Sequence, residues 1–363
     1  MAERFDTIVI GAGQAGLAMS YCLTQQGREH LVLERDRVGE AWRSKKWDSF
    51  TLVTPNWAVN LPGYAYQGDE PEGFLTRDEV LRHLEEYVAL FNPPLRLGVE
   101  ALALVAAEDG FVVESNAGAF IAANVVVATG AFQKPKLPAF SAQIAPHIRQ
   151  LHSSDYRNER ELPPGAVLVV GSGQSGCQIT EELYHEGRKV YLSTGGAGRM
   201  PRRYRGKDIF WWLNEVGMMD RTVDKLPSLA KRFDANPQLT GKGGGRWLNL
   251  HQFALDGVTL LGRLKDGRGT QLFFAEDLME NLAKADKPVG EIKKAVDGYI
   301  TNRSLEIAEE EPLPDLRAGY ESPVVTELDL DAAGITSIIW ACGYTFDFSW
   351  VKLPIFDEFG YPT

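Results

Sequence analysis

Two glycine-rich turns, each set between an apolar run and a helix-forming stretch, predict an α/β protein with two dinucleotide-binding, Rossmann-like units. "IVIGAGQAGLAM" (residues 8–19) and "VVGSGQSGCQI" (residues 169–179) share the spacing G-x-G-x-x-G and lie 160 positions apart. A third observation is the late run Ser337-Ile-Ile-Trp-Ala-Cys-Gly343, which resembles Val125-Val-Val-Ala-Thr-Gly130. At 363 residues the chain is long enough for two domains.

The first unit reads as a strand over 6–10, a helix over 14–27 and a strand over 30–34. In its turn Gly11 permits the sharp bend, Gly13 lets a pyrophosphate approach the backbone, and Gly16 lets helix and strand pack closely. Gln14 and Ala15 open the helix, whose free amides favour phosphate. A polar, aromatic stretch follows from Gly39 to Asp69, and Thr76-Arg-Asp-Glu79 forms a capping box for a helix to about Phe91. Short alternating strands fill 95–128, and a proline-spaced connection runs from Pro135 to Pro164.

The second unit reads as a strand over 166–170, a helix over about 175–187 and a strand over 189–193. Gly171, Gly173 and Gly176 repeat the first turn, with Gln174 and Ser175 opening the helix. Beyond Tyr204 the composition shifts: Phe210-Trp211-Trp212, glycines over 241–245, helices expected near 276–285 and 290–302, and an acidic linker at Glu309–Asp315. The aromatic triplet is a candidate substrate wall, weighed against plain core packing. "GKGGGR" (residues 241–246) lacks the Walker spacing and reads as a mobile loop.

The residue 23 positions after the first glycine separates the two units: Glu34 in the first, Thr194 in the second. A carboxylate there accepts hydrogen bonds from both ribose hydroxyls and repels a 2′-phosphate, so the first unit suits FAD or NAD. The second lacks it and is followed by Arg199, Arg202 and Arg203. Guanidinium forks suit a phosphate monoester, so the second unit is expected to hold NADPH, against the blander reading of a solvated basic loop.

A net charge of -11 argues against nucleic acid or an anionic membrane as bulk partner. No apolar stretch approaches the ~20 residues of a membrane span, and the N-terminus lacks a signal-peptide pattern, so a cytoplasmic location is expected. Cys22, Cys177 and Cys342 are isolated and read as small buried hydrophobes; no Cys-x-x-Cys pair carries a dithiol reaction. The six histidines show no metal-ligand spacing.

"LERDRVGEAWRSKKWDSFTLVTPNWAVNLPG", "VVVATGAFQKPKLP", "LHSSDY" and "IIWACGYTFDF" together resemble the flavin-containing monooxygenases and their CzcO-like and YUCCA-type relatives. A bacterial branch of flavin-dependent oxidoreductases shares the Asp-Ser-Phe and Gln-Leu-His-Ser-Ser-Asp-Tyr stretches. The resemblance implies a two-dinucleotide-binding flavoprotein whose NADPH domain is inserted in its FAD domain. The FAD domain would comprise 1–157 and 318–363, and the NADPH domain 158–317 with a helical insertion over about 205–316. The resemblance also implies that the chain, ending at Tyr361-Pro-Thr363, stops short of the segment that closes the family's FAD domain.

The implied activity is NADPH-driven: a flavin hydroperoxide passes one oxygen from molecular oxygen to a small organic substrate of N-, S- or carbonyl type. A homodimer is compatible with it. Cofactor residues carried over are Arg35, Gly39, Trp42, Arg43, Thr54, Asn56, Trp57, Ala128, Thr129, Gly130, Cys342, Gly343 and Tyr344, beside the turn residues, Glu34, Thr194, Arg199 and Arg203. For Arg43 and Lys45 a solvated loop is the equal alternative, and Trp47 reads as packing. Asn56 and His152 are the candidate catalytic side chains, the latter weighed against a structural histidine at the domain junction. Two departures stand out: the family fingerprint's Phe and Gly fall on Pro146 and Ile148, and its flavin-side asparagine falls on Val53. An NADPH oxidase or flavin reductase without oxygen insertion therefore stays open, as does a nucleotide-binding redox sensor.

Overall fold

The computed structural model describes residues 2–307 and 315–363; of the expected linker only Asp315 falls among them. The first sheet has the strand order Leu95–Leu97, His30–Glu34, Glu3–Ile10, Gly118–Val127, Gly110–Ser115, Ala101–Ala107. Its first four strands are parallel and the rest form an antiparallel meander. Both faces are covered, which explains the unbroken apolar run of the central strand. Val9 packs with Leu17 and Val32 on the helical face, whereas Ile8 and Ile10 join Leu31, Leu33 and Val113 on the other. The expected capping box is present: Thr76 accepts from the Glu79 amide, and the Glu79 carboxylate accepts from the Thr76 amide.

The second sheet is parallel throughout, ordered Arg149–His152, Ile335–Trp340, Ala166–Val170, Val190–Ser193, Thr259–Leu261. This corrects the expected division of the chain at two strands. Arg149–His152 and Ile335–Trp340, read with the first unit, pair in the second sheet. Ile335–Trp340 is buried along nearly its whole length, as a central strand must be. The chain then returns to the first sheet, where Val351 bridges Leu104 and packs with Phe348 and Phe356.

The insertion is not purely helical. Thr259–Leu261 supplies an edge strand of the second sheet, and Leu264–Arg268, Gln271–Phe274 and Glu327–Asp329 form a small antiparallel sheet. The two helices expected at 276–285 and 290–302 are one helix, Leu278–Arg303, which runs through Pro288. Its buried residues Leu278, Leu282, Ala285, Ile292 and Val296 keep one face over both halves, and that packing outweighs the amide bond proline forgoes.

Asp286 on this helix ties three distant segments together. It accepts from Arg199 Nε at 2.8 Å, His251 Nε2 at 3.0 Å and the Tyr320 hydroxyl at 2.9 Å. Burial alone would raise its pKa, but the His251, Arg199 and Tyr320 hydrogen bonds and the Arg199 charge outweigh it and hold the carboxyl at about 2. A depressed folded value stabilises the protein above the unfolded pKa of ~3.9 and ceases to do so as pH falls toward 2. Asp286→Asn is therefore expected to lower stability by about 2 kcal/mol at neutral pH. Urea unfolding across pH 5 to 2 should show a shallower fall for the variant; parallel curves for the two proteins would refute this.

Candidate functional site

Both glycine turns lie at the carboxyl ends of the parallel strands and are built alike. Gly11 has φ +112° and Gly171 φ +108°, a region closed to most side chains. A Cβ at Gly16 would stand 1.9 Å from the Gly11 carbonyl oxygen, and one at Gly176 would stand 1.8 Å from that of Gly171. At Gly13 and Gly173 an added Cβ meets nothing within 4 Å. Open space there faces the N-termini of the helices Gln14–Gln25 and Gln174–His185. Neither helix has a side-chain cap or an acidic residue in its first turn, in contrast to the capped helix Arg77–Phe91. Uncapped amides beside open space fit a phosphate.

Beyond this shared frame the units diverge. Glu34 Oε2 accepts from the Ala12 amide at 2.7 Å and Oε1 from the Asp36 amide at 2.9 Å, which holds the carboxylate against the first turn. Arg35 is exposed and pairs with Asp36 and Glu100. In the second unit the link runs the other way: the Ser172 hydroxyl in the turn accepts from the Gly195 amide at 2.9 Å. Thr194 is buried and its hydroxyl donates to Leu261 O at 2.8 Å.

The basic residues after it separate. Arg199 is buried on Asp286, which corrects its expected place in a phosphate clamp. Arg202 is 1 % exposed, bidentate to Asp208, and its Nη1 donates to Val53 O at 2.7 Å. Arg203 alone is exposed.

The two Ala-x-Gly crossovers are equivalent. A Cβ at Gly11 would stand 2.5 Å from Ala128 O, and one at Gly171 2.6 Å from Ala341 O. Cys342 and Gly343 therefore sit at the second turn rather than the first. From the crossovers, Lys134–Pro135 and Tyr344–Thr345 run side by side as a short antiparallel ribbon. Gln133 Nε2 donates to Thr129 Oγ1 and Gly130 O. Tyr344 stacks edge-on to His152 at 4.9 Å and lies 5.0 Å from Phe132.

His152 is buried and fully engaged. Its Nδ1 accepts from the Ser154 amide at 3.2 Å, which makes the other nitrogen the donor, toward Gly343 O at 3.0 Å. Burial pushes its pKa down and so favours the neutral ring, whose one lone pair is taken up by the Ser154 amide. This bonding fits the structural histidine of the two expected readings.

Asn56 is buried, with Nδ2 on Glu70 O and Oδ1 lacking a hydrogen-bond partner among the described residues. Trp57 lies beside it, its amide on Pro71 O, and Thr54 is half-buried. Gly39 (φ +66°) donates its amide to Ala12 O at 3.1 Å and so ties the helix carrying Trp42 to the first turn. Arg43 is turned to Glu85 at 2.7 Å, away from a phosphate-binding role.

The 45–56 stretch also reaches the second unit. Trp47 is 4 % exposed within that unit's core beside Tyr156 and Val167, and Ser49 bonds Glu182. The 241–246 loop closes over the same contact, pinned by packing and ion pairs where a mobile loop is expected from the sequence. A Cβ at Gly241 would stand 2.0 Å from Leu52 O, while Lys242 and Arg246 pair with Glu182 and Glu181. No sequence signal points to these long-range pairs. Trp212 packs with Ile209, Leu239, Ile292 and Val296, a core role rather than a substrate wall.

Two uncapped glycine turns, each at the end of a parallel strand and joined by paired crossovers, define a two-dinucleotide fold. Residues 8–214 match the family described as pyridine nucleotide-disulphide oxidoreductases, and the chain belongs to it. A CzcO-like uncharacterized oxidoreductase of Geobacillus kaustophilus is 43 % identical over 222 residues, 61 % of this chain and 63 % of that protein. The indole-3-pyruvate monooxygenase YUCCA1 of Oryza sativa is 31 % identical over 196 residues, 52 % of this chain and 48 % of its own length. The chain spans less than two-thirds of the length of either relative. Two solved structures share the fold at 99 % coverage of this chain and 85 % of their own. They are a flavin-containing monooxygenase from Stenotrophomonas maltophilia (TM-score 0.62, 18 % identity) and a bacillithiol disulfide reductase from Bacillus cereus (TM-score 0.59, 15 % identity).

The packing separates two classes of glycine variant. Gly16→Ala and Gly176→Ala drive a methyl into backbone and are expected to lower Tm by several degrees. Gly13→Ala and Gly173→Ala have room and an extended φ, so their melting curves should match wild type without ligand. Equal melting of all four variants would refute this reading of the turns.

Proposed function

We propose that the chain binds FAD at the Gly11–Gly16 turn and NADPH at the Gly171–Gly176 turn, and acts as a flavin-dependent monooxygenase on a small organic substrate. The observation that carries the cofactor order is the asymmetry of two otherwise matching turns: a carboxylate held at the first, and at the second a buried threonine followed in the chain by the exposed Arg203. Glu34 suits a ribose with both hydroxyls free, and Arg203 is the cation left to meet a 2′-phosphate. FAD, when bound, supplies the hydride acceptor for NADPH and the site of oxygen activation.

The chain's own groups bind, orient and exclude water. The uncapped helix ends take the two pyrophosphates, Trp42 and Trp57 wall the first site, and the orphan Oδ1 of Asn56 accepts a hydrogen bond from the ring system or the substrate. His152 holds the Gly343 crossover in place through its Nε2 proton. No side chain need act as acid or base in the oxygen-transfer step, in keeping with the engaged state of His152.

The test is spectroscopic. Purified full chain should carry a yellow chromophore that NADPH bleaches faster than NADH. Gly13→Ala should lose the flavin while folding, and Arg203→Ala should narrow the NADPH preference by about tenfold. A colourless, folded wild type would sink the cofactor assignment. Val53 favours a second reading: packed beside Trp212 and Leu239, it offers no side-chain donor where relatives are expected to have an asparagine. An oxidase that inserts no oxygen would return all consumed NADPH as hydrogen peroxide across a broad panel of amines, sulfides and ketones.

A further inference from the structure

Lys46 stands apart from the other cations of the cleft. Its ammonium lies 4.6 Å from the ring centre of Phe132, 5.0 Å from Phe50 and 5.6 Å from Trp42. Among the described residues no carboxylate comes within 4.0 Å of it, and it donates no hydrogen bond. Burial alone lowers its pKa to about 8. Lys46 is half-buried, and a partly desolvated ammonium without a counter-ion carries a cost that cation–π contacts offset only in part.

The position of the cage gives the cost a purpose. Glu34 marks the ribose end over the strand His30–Glu34, and Gly13 marks the pyrophosphate at the next strand. The rest of an extended dinucleotide then runs across the exit of Gly118–Val127, toward Ala128 to Phe132. Phe132 is 55 % exposed in this cleft and is the ring closest to the ammonium. Trp42 belongs to the helix tied to the first turn through Gly39.

We propose that Lys46 is the fixed positive charge beside the flavin ring, and that it meets the negative charge the ring gains on reduction. The proposal rests on the assignment of FAD to the first turn. NADPH gives a hydride, two electrons and one proton, to the neutral oxidised ring; NADP+ leaves, and the reduced ring carries one negative charge with no further proton taken up. The ammonium stabilises that anion more than the oxidised ring, so it favours the reduced state.

The test uses the flavin-loaded full chain as wild type, Lys46→Met and Lys46→Arg, with sulfite as probe. Sulfite adds its electron pair to the oxidised ring and leaves it anionic, so its affinity reports the same charge without turnover. Lys46→Met should weaken sulfite binding by about tenfold or more and make the flavin harder to reduce; Lys46→Arg should keep both near wild type. A second measurement needs no variant: the reduced wild type should show the anionic spectrum at mildly acid pH. Unchanged sulfite affinity in a coloured Lys46→Met chain, or a neutral reduced spectrum in wild type, overturns the role of Lys46 and leaves the cofactor assignment standing. A wild type that holds no flavin overturns both.

Discussion

A main-chain carbonyl pressed onto a residue without a side chain sets the geometry of both halves of this molecule. Ala128 O stands over Gly11 and Ala341 O over Gly171, and each of those glycines in turn backs onto Gly16 or Gly176. These contacts fix strand, helix and crossover within van der Waals range of one another. Because each helix is entered through a glycine, Gly13 or Gly173, its free amides open on the cleft with no side-chain cap, in the manner of a phosphate site. The same constraint repeated at the second turn makes the two turns structural duplicates set in sheets of different make.

The halves are joined by more than the two crossovers. The segment that begins as a loop of the first unit ends as part of the second unit's interior, with Trp47 in its core. Val53 lends its carbonyl to Arg202, whose guanidinium is also paired with Asp208 at 1 % exposure on both sides. A buried pair of this kind adds little net stability over an apolar substitute, yet breaking it leaves a charge stranded at a cost of about 3–5 kcal/mol. Its value here is placement: the guanidinium fork accepts one geometry, and so fixes where the 45–56 segment lies against the second unit.

What the sequence revealed and what it concealed divide along the distance between partners. The turns, Glu34 and the capping box at Thr76 are local patterns, readable because strand, bend and helix succeed one another within about twenty residues. The membership of Arg149–His152 and Ile335–Trp340 in the second sheet is not readable, since Arg149 pairs with Ser337, 188 residues away. Arg199 and Arg203 look alike in sequence, and only Asp286 on a distant helix buries one and spares the other. The glycines of 241–246 suggest mobility in sequence, whereas at Gly241 and Gly245 it is Leu52, Phe74 and Arg202 that leave no room for a Cβ. His152 has the composition of a base, but the Ser154 amide and the Gly343 carbonyl occupy both its nitrogens.

The ribbon of Lys134–Pro135 with Tyr344–Thr345 places both covalent connections between the halves along one line. Two strands side by side make a hinge with a single easy axis, and the opposite margin is bolted by Trp47, Arg202 and the pinned glycine loop. Swinging the halves apart would require withdrawing an indole from a core and stranding a buried charge. On the proposed reading, two dinucleotides would then meet across a fixed slot, in a gap whose width is set before either arrives.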